Sequence, residues 1–239
     1  MRLVALACAL LSLAAAAAPA PPGVDVALVL LTDVSRSIDD SEFDLEKSGY
    51  VDAITNPRVI AAIQGGPAGR IAVAYVEFAG ASEVQTVLDW TTVSDAATAH
   101  RFAADLAAAP RSFHGRTAIG AGIERATQML ATNGLGATRS VIDVAGDGTN
   151  NAGPDSAAAR DAAVEAGITI NGLTIINDHP AAYIYAHTQP PGGLAEYYRE
   201  NVTGGPGSFV IEVHDFHTFG QAMLRKLLSE IAANPHTRT

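Results

Sequence analysis

The chain has 239 residues, 48% of them hydrophobic and 17% charged, which is enough to bury one sizeable core and too apolar for a disordered chain. The 15 Lys and Arg stand against 25 Asp and Glu, a formal net charge of −10. With no basic cluster to offset it, such a surface repels phosphate backbones and anionic lipids, so nucleic acid is excluded as an expected partner.

Residues 1–20, MRLVALACALLSLAAAAAPA, read as a secretory signal peptide. Arg2 is followed by an apolar block from Leu3 to Leu13 and by small residues offering A-x-A cleavage sites around Ala16 to Ala20. The expected destination is the bacterial periplasm or the medium. Cys8, the single cysteine, would leave with this leader, so the mature chain has no disulfide. Lipid attachment at Cys8 is disfavoured because only Leu3 to Ala7 form the apolar block before it. Beyond the leader no apolar run approaches the roughly 20 residues of a membrane helix, so the mature chain is expected to have no transmembrane segment. Residues 24–233 are read as one domain.

Val24 to Leu31 is the first expected strand, apolar at successive positions as a strand covered on both faces must be. Asp33-x-Ser35-x-Ser37 follows it. Asp39, Asp40 and Ser41 offer N-cap oxygens to a helix from about Ser41 with an apolar stripe of Phe43, Tyr50, Val51 and Ile54. Asn56-Pro57 interrupts it and Gly65-Gly66-Pro67 ends it. Ile71 to Phe78 is a second buried strand. In Glu83 to Trp90, Val84, Thr86 and Leu88 alternate with polar residues, which predicts an antiparallel edge strand with one wet face. Ser94 caps a helix through about Ala108. After the loop from Pro110 to Arg116, Ile119, Ile123, Ala126 and Leu130 recur at helical spacing until Asn133-Gly134.

Arg139 to Ala145 is the next buried strand, and a polar, glycine-rich loop from Gly146 to Asn151 follows. Asp155 caps an Ala-rich helix to Glu165, Gly167 closes it, and Ile168 to Ile176 forms a strand. Asn177 to Gly193, rich in Pro, His and Tyr, is expected to be an excursion at the same end of the sheet as Asp33, and a loop that selects a ligand. Leu194 to Asn201 reads as a short helix and Ser208 to Val213 as the last strand. A final helix from Phe216 to about Ile231 carries Phe219, Met223, Leu227 and Ile231 on one face. The alternation of strand and helix predicts an α/β fold: a mainly parallel six-stranded sheet with one antiparallel edge strand and helices on both faces.

Three loops at the carboxyl ends of inner strands or at helix starts carry Asp33, Ser35 and Ser37, then Thr117, then Asp147. Together they hold two carboxylates and three hydroxyls, with no cysteine or histidine. An oxygen-only set suits a hard cation such as Mg2+ and disfavours softer metals. Alternate residues of a locally extended segment face the same way, so the spacing of Asp33, Ser35 and Ser37 is expected to converge them.

Asp33-x-Ser35-x-Ser37, the threonine of Gly115-Arg116-Thr117-Ala118-Ile119-Gly120, and Asp147 of Gly146-Asp147-Gly148 resemble the metal ion-dependent adhesion site of von Willebrand factor type A (vWA) domains. The order of elements is similar too. Tyr197 to Asn201 and Gly204-Gly205-Pro206-Gly207 resemble a bacterial exported subfamily of such domains whose function is not established. The resemblance implies a Rossmann-like vWA fold over nearly the whole mature chain. It implies a site for Mg2+ (or Mn2+ or Ca2+) in which Ser35, Ser37 and Thr117 touch the cation, while Asp33 and Asp147 hold coordinated waters. One coordination position would be left for an acidic side chain of a protein partner, and no catalysis is expected.

A rival reading is a metal-dependent phosphatase of the haloacid dehalogenase type, because Gly146 to Asn151 resembles that family's GDGxND loop. It fails at Ser35, which occupies the place of the general acid and cannot protonate a leaving group at neutral pH. A scaffold with a vestigial metal site is the third reading. Asp143, inside an apolar strand, is expected to pair with a basic residue or with backbone donors. His179, His187, His214 and His217 fit no zinc spacing and are expected to be solvated. Arg36 is a candidate contact for the partner's carboxylate, and Asn201-Val202-Thr203 is read as a chance sequon.

Overall fold

In the computed structural model, which describes residues 23–176 and 190–232, the first strand β1 runs Val26–Asp33 and is buried at every position. It ends two residues later than the apolar pattern indicated, so Asp33 closes the strand instead of following it. The helices α1 (Asp40–Thr55) and α2 (Pro57–Gln64) come next, then the strands β2 (Ile71–Phe78) and β3 (Val84–Val93). The helices α3 (Ala96–Ala108) and α4 (Ile119–Thr132) lead to β4 (Arg139–Gly146), α5 (Ser156–Glu165) and β5 (Ile168–Ile175). Among the described residues the chain then forms α6 (Leu194–Asn201), β6 (Val210–Val213), a 3-10 turn at Phe216–Thr218, and α7 (Phe219–Ala232).

The caps follow the sequence with one exchange. Asp39 accepts from the Ser41 and Glu42 amides, and Glu42 reaches back to the Asp39 amide, a complete capping box. Asn56 caps α2, with Pro57 in the first turn where its missing N–H is no loss. At α3 the cap is Asp95, not Ser94: its carboxylate accepts from the Thr98 amide, and Ser94 donates its own amide to Thr98 Oγ1.

The sheet order is β3-β2-β1-β4-β5-β6, with β3 antiparallel to β2 and every other pair parallel. Alternate residues of β1 serve two cores. Val26, Leu28 and Leu30 pack with Phe43, Tyr50, Phe219 and Leu227 of α1 and α7. Ala27, Val29 and Leu31 pack with Ile119, Ile123 and Tyr198 of α4 and α6. A Cβ on Gly49 would lie 3.0 Å from the Gly220 backbone, so the α1–α7 approach requires that glycine.

Asp143, fully buried in β4, meets Lys226 Nζ of α7 at 2.6 Å, as a charge in an apolar strand requires. Lys226 also meets Glu230 at 2.7 Å, and Glu230 accepts from Asn171 Nδ2 at 2.8 Å. The leader (residues 1–20) and most of the excursion from Asn177 to Gly193, with His179 and His187, lie outside the described residues.

Candidate metal centre

The sheet has its strand-order reversal at β1. From β1 the chain goes first to β2 on one side, and β4 then adds on the other. Loops leaving the carboxyl ends of β1 and β4 therefore diverge and open a crevice, the place where open α/β sheets bind ligands. Asp33 ends β1, and Asp147 directly follows β4.

The segment after Asp33 is a turn, not the extended run expected from the spacing of Asp33, Ser35 and Ser37. Asp33 Oδ1 accepts from the Ser35 amide at 2.8 Å, and the Ile38 amide donates to Ser35 O at 3.1 Å. The turn brings the hydroxyls together by its own curvature. Ser35 Oγ and Ser37 Oγ are 3.1 Å apart, and Ser37 Oγ donates to Asp147 Oδ1 at 2.8 Å. Thr117 Oγ1 donates to Ser35 Oγ at 3.1 Å. All five residues thus lie in one hydrogen-bonded chain. Asp33, Ser35, Thr117 and Asp147 are buried, and Ser37 is half-buried.

Burial, followed by the neighbouring Asp147 charge, pushes the Asp33 carboxyl up to about 8, against the opposing bonds from Ser35 and the Arg111 charge. Asp33 Oδ2 is buried with no hydrogen-bond partner. A buried carboxylate oxygen left unmatched among hydroxyls is costly unless a cation or a proton meets it, and the all-oxygen donor set fits a hard divalent ion. Among the described residues no three His, Cys, Asp or Glu side chains gather at metal-binding separation. The set here has only two carboxylates, and the other donors are hydroxyls.

Several supporting residues left little trace in the sequence. Asn151 Oδ1 accepts from the Thr117 amide at 3.0 Å, and Asn151 returns its own amide to Thr117 O at 2.8 Å, which pins the threonine. Asn150 Oδ1 accepts from the Gly120 amide at 3.2 Å, standing in for the side-chain cap that Ala118 cannot supply to α4. The sequence marks Asp147 of this loop as a site residue, but Asn150 and Asn151 only as part of a phosphatase likeness. Tyr197 Oη of α6 accepts from the Asn150 amide at 3.1 Å. A Cβ on Gly146 would lie 2.7 Å from Tyr198 Oη and 3.0 Å from Asp33 Cβ, so α6 also packs against the back of the site.

Glu46 and Glu77 are buried nearby. Burial, then the Asp33 and Asp147 charges, raises Glu46 well above the usual carboxylate range. Glu77 Oε2 accepts from the Ser112 amide at 2.7 Å. Arg36 is exposed, its amide donating to Gly115 O at 3.0 Å. His214 and His217 are exposed as expected.

Residues 23–235 match the sequence profile of a family described as "Protein of unknown function (DUF1194)". The chain belongs to the DUF1194 family. No curated protein matches its sequence. The fold of this DUF1194 chain is that of the vWA domain, as a comparison with solved structures shows. Proximal thread matrix protein 1 from the mussel byssus, in a structure "with zinc occupied MIDAS motif", aligns over 88% of this chain and 48% of its own, with a TM-score of 0.65 and 15% identity. A von Willebrand factor type A protein from Catenulispora acidiphila aligns over 87% of this chain and 43% of its own, with a TM-score of 0.58 and 14% identity. BatB from Bacteroides thetaiotaomicron aligns over 87% of this chain and 100% of its own, with a TM-score of 0.56 and 22% identity. The chain thus spans about half the length of the mussel protein. No helix among the described residues is long and apolar enough to cross a membrane.

Proposed function

We propose that this chain is an exported vWA-type binding module. It holds a divalent cation, Mg2+ or Mn2+ with Ca2+ as the larger alternative, and through it an acidic side chain of a protein partner. Ser35, Ser37 and Thr117 supply hydroxyl ligands, while Asp33 and Asp147 supply the negative charge. The observation that carries the reading is Asp33 Oδ2, buried without a hydrogen-bond partner at the head of the chain of bonds that joins all five residues.

The cation, when bound, supplies an electrophilic position that attracts a carboxylate. The protein's own part is to hold five oxygens in place. Three of them are neutral hydroxyls, so the site carries less negative charge than an all-carboxylate cage and leaves the ion attractive to an incoming Asp or Glu. The zinc-occupied motif of the mussel protein supports a divalent ion at this place in the fold. The leader-like residues 1–20 support export, where a partner would be another exported protein.

The test is a pull-down from the organism's exported proteins in Mg2+ and in chelator, with wild type and Asp33→Ala. A partner retained by wild type only in Mg2+, and released by free acidic peptide, is the expected result. Identical retention by both proteins in both buffers would leave a vWA scaffold with a vestigial site.

A further inference from the structure

We propose that Arg111 is the positioning residue of the centre: its guanidinium gathers the backbone carbonyls of Val34, Ser35 and Ile38 and so sets the curvature that turns the Ser35 and Ser37 hydroxyls toward Thr117 and Asp147. Arg111 lies in the segment between α3 and α4, remote from the Asp33 turn along the chain. Its Nη2 lies 2.9 Å from Val34 O, 2.9 Å from Ser35 O and 2.8 Å from Ile38 O, its two hydrogens shared among the three carbonyls. Its Nε donates to Phe113 O at 3.0 Å, which ties the turn to the loop leading to Thr117.

The side chain is 7% exposed, whereas its ion-pair partner Asp40, at 3.2 Å, is 91% exposed. A pair so open to water contributes little, so the backbone bonds are what this arginine is for. Three carbonyls of one turn converge on it, and its removal would leave Ser35 O with the Ile38 amide alone and take this donor from Val34 O and Ile38 O. Its guanidinium carbon sits 5.5 Å from the Phe43 ring centroid, within cation–π reach. A lysine has a single nitrogen, so it can meet the turn carbonyls only by giving up the separate bond to Phe113 O.

The effect on cation binding rests on the function proposed above; the effect on the turn does not. The full chain is compared as wild type, Arg111→Lys and Arg111→Ala, by amide hydrogen exchange in chelator and by Mn2+ titration. The Arg36 and Ile38 amides, which donate to Gly115 O and Ser35 O, report on the turn. They are expected to exchange at least about tenfold faster in both variants while β1 amides stay protected. Mn2+ affinity is expected to fall about 10–100-fold. If Arg111→Ala does not fold, Arg111→Lys carries both readouts. Unchanged exchange at Arg36 and Ile38, or an Arg111→Lys protein equal to wild type in both measurements, would overturn the proposal. A wild type that binds no Mn2+ would overturn the cation site alone, and the exchange data would still decide the role of Arg111.

Discussion

Ser37 Oγ donates to Asp147 Oδ1 at 2.8 Å across a separation of 110 residues. The bond forms because β1 and β4 are neighbours, paired from Val26↔Arg139 to Thr32↔Ala145, so that the loops beyond their ends face each other. It ties the neutral half of the candidate centre to its charged half.

Cation binding should appear as stability. At a hundredfold excess over the dissociation constant, a ligand stabilises the native state by about 2.7 kcal/mol. For a domain of this size that raises Tm by roughly 5–10 °C. Wild type should show such a rise in Mg2+ or Mn2+ by calorimetry, Ser37→Ala a smaller one, and Asp33→Ala none. Equal melting of all three in every cation would remove the metal from the account.

In chelator the order of stability should reverse. Burial and then Asp147 push Asp33 up to about 8, so the native chain holds a proton that the unfolded chain releases near 3.8. The native state then binds more protons than the unfolded state between those values, and stability declines as pH rises through that window. Asp33→Asn keeps an acceptor for the Ser35 amide and is neutral in both states, so folding no longer has to take up a proton. Near neutral pH it should be more stable than wild type by on the order of 1–3 kcal/mol in urea titrations with chelator present. A less stable Asp33→Asn would mean that Asp33 serves the fold instead of a ligand.

The buried Lys226 cluster should set a second pH dependence. Burial, then the Glu230 charge, raises Asp143 to about 7 despite Lys226 at 2.6 Å. The sign is the same as for Asp33: this contribution is fully present below about pH 4 and is lost as pH rises through about 7. Lys226→Met leaves Asp143 and Glu230 buried without their cation, at a cost of about 3–5 kcal/mol. The loss should be largest near pH 8 and smaller near pH 5, where Asp143 holds its proton. Denaturant curves at both pH values check this, and a loss that does not depend on pH would contradict it.

Gly146→Ala places a methyl 2.7 Å from Tyr198 Oη and 3.0 Å from Asp33 Cβ. Overpacking of this kind costs about 1–3 kcal/mol. Tyr198→Phe, which deletes the hydroxyl, should recover part of the loss in the double variant. Additive effects of the two changes in thermal unfolding would show that α6 does not press on this strand.

Much of the fold was legible because its determinants are local. The continuous apolar run Val26 to Leu31 marked a strand covered on both faces, the alternation from Val84 to Leu88 marked the edge strand, Asp39 marked a helix start, and Asn56-Pro57, read as an interruption, proved to be the boundary between two helices. Where neighbouring residues compete for one role, local chemistry did not choose. Ser94 and Asp95 are both good caps, and the one whose oxygen reaches the Thr98 amide took the position. Glu46 lies in a charged stretch of α1, yet it is buried, because α1 packs on the sheet and is flanked by α7 and α3.

Residue type and spacing determined the α/β order and singled out Asp33, Ser35, Ser37, Thr117 and Asp147, since oxygen-bearing side chains at strand ends are a pattern along one chain. The tertiary structure alone decided how they meet. It replaced an extended run by a turn and set Arg111 on the carbonyls of that turn. It also put Asn151 behind Thr117 and gave Asp143 its lysine. Hydrogen bonds to backbone groups and ion pairs between distant elements carry no sequence period, so only packing the sheet and helices together could reveal them.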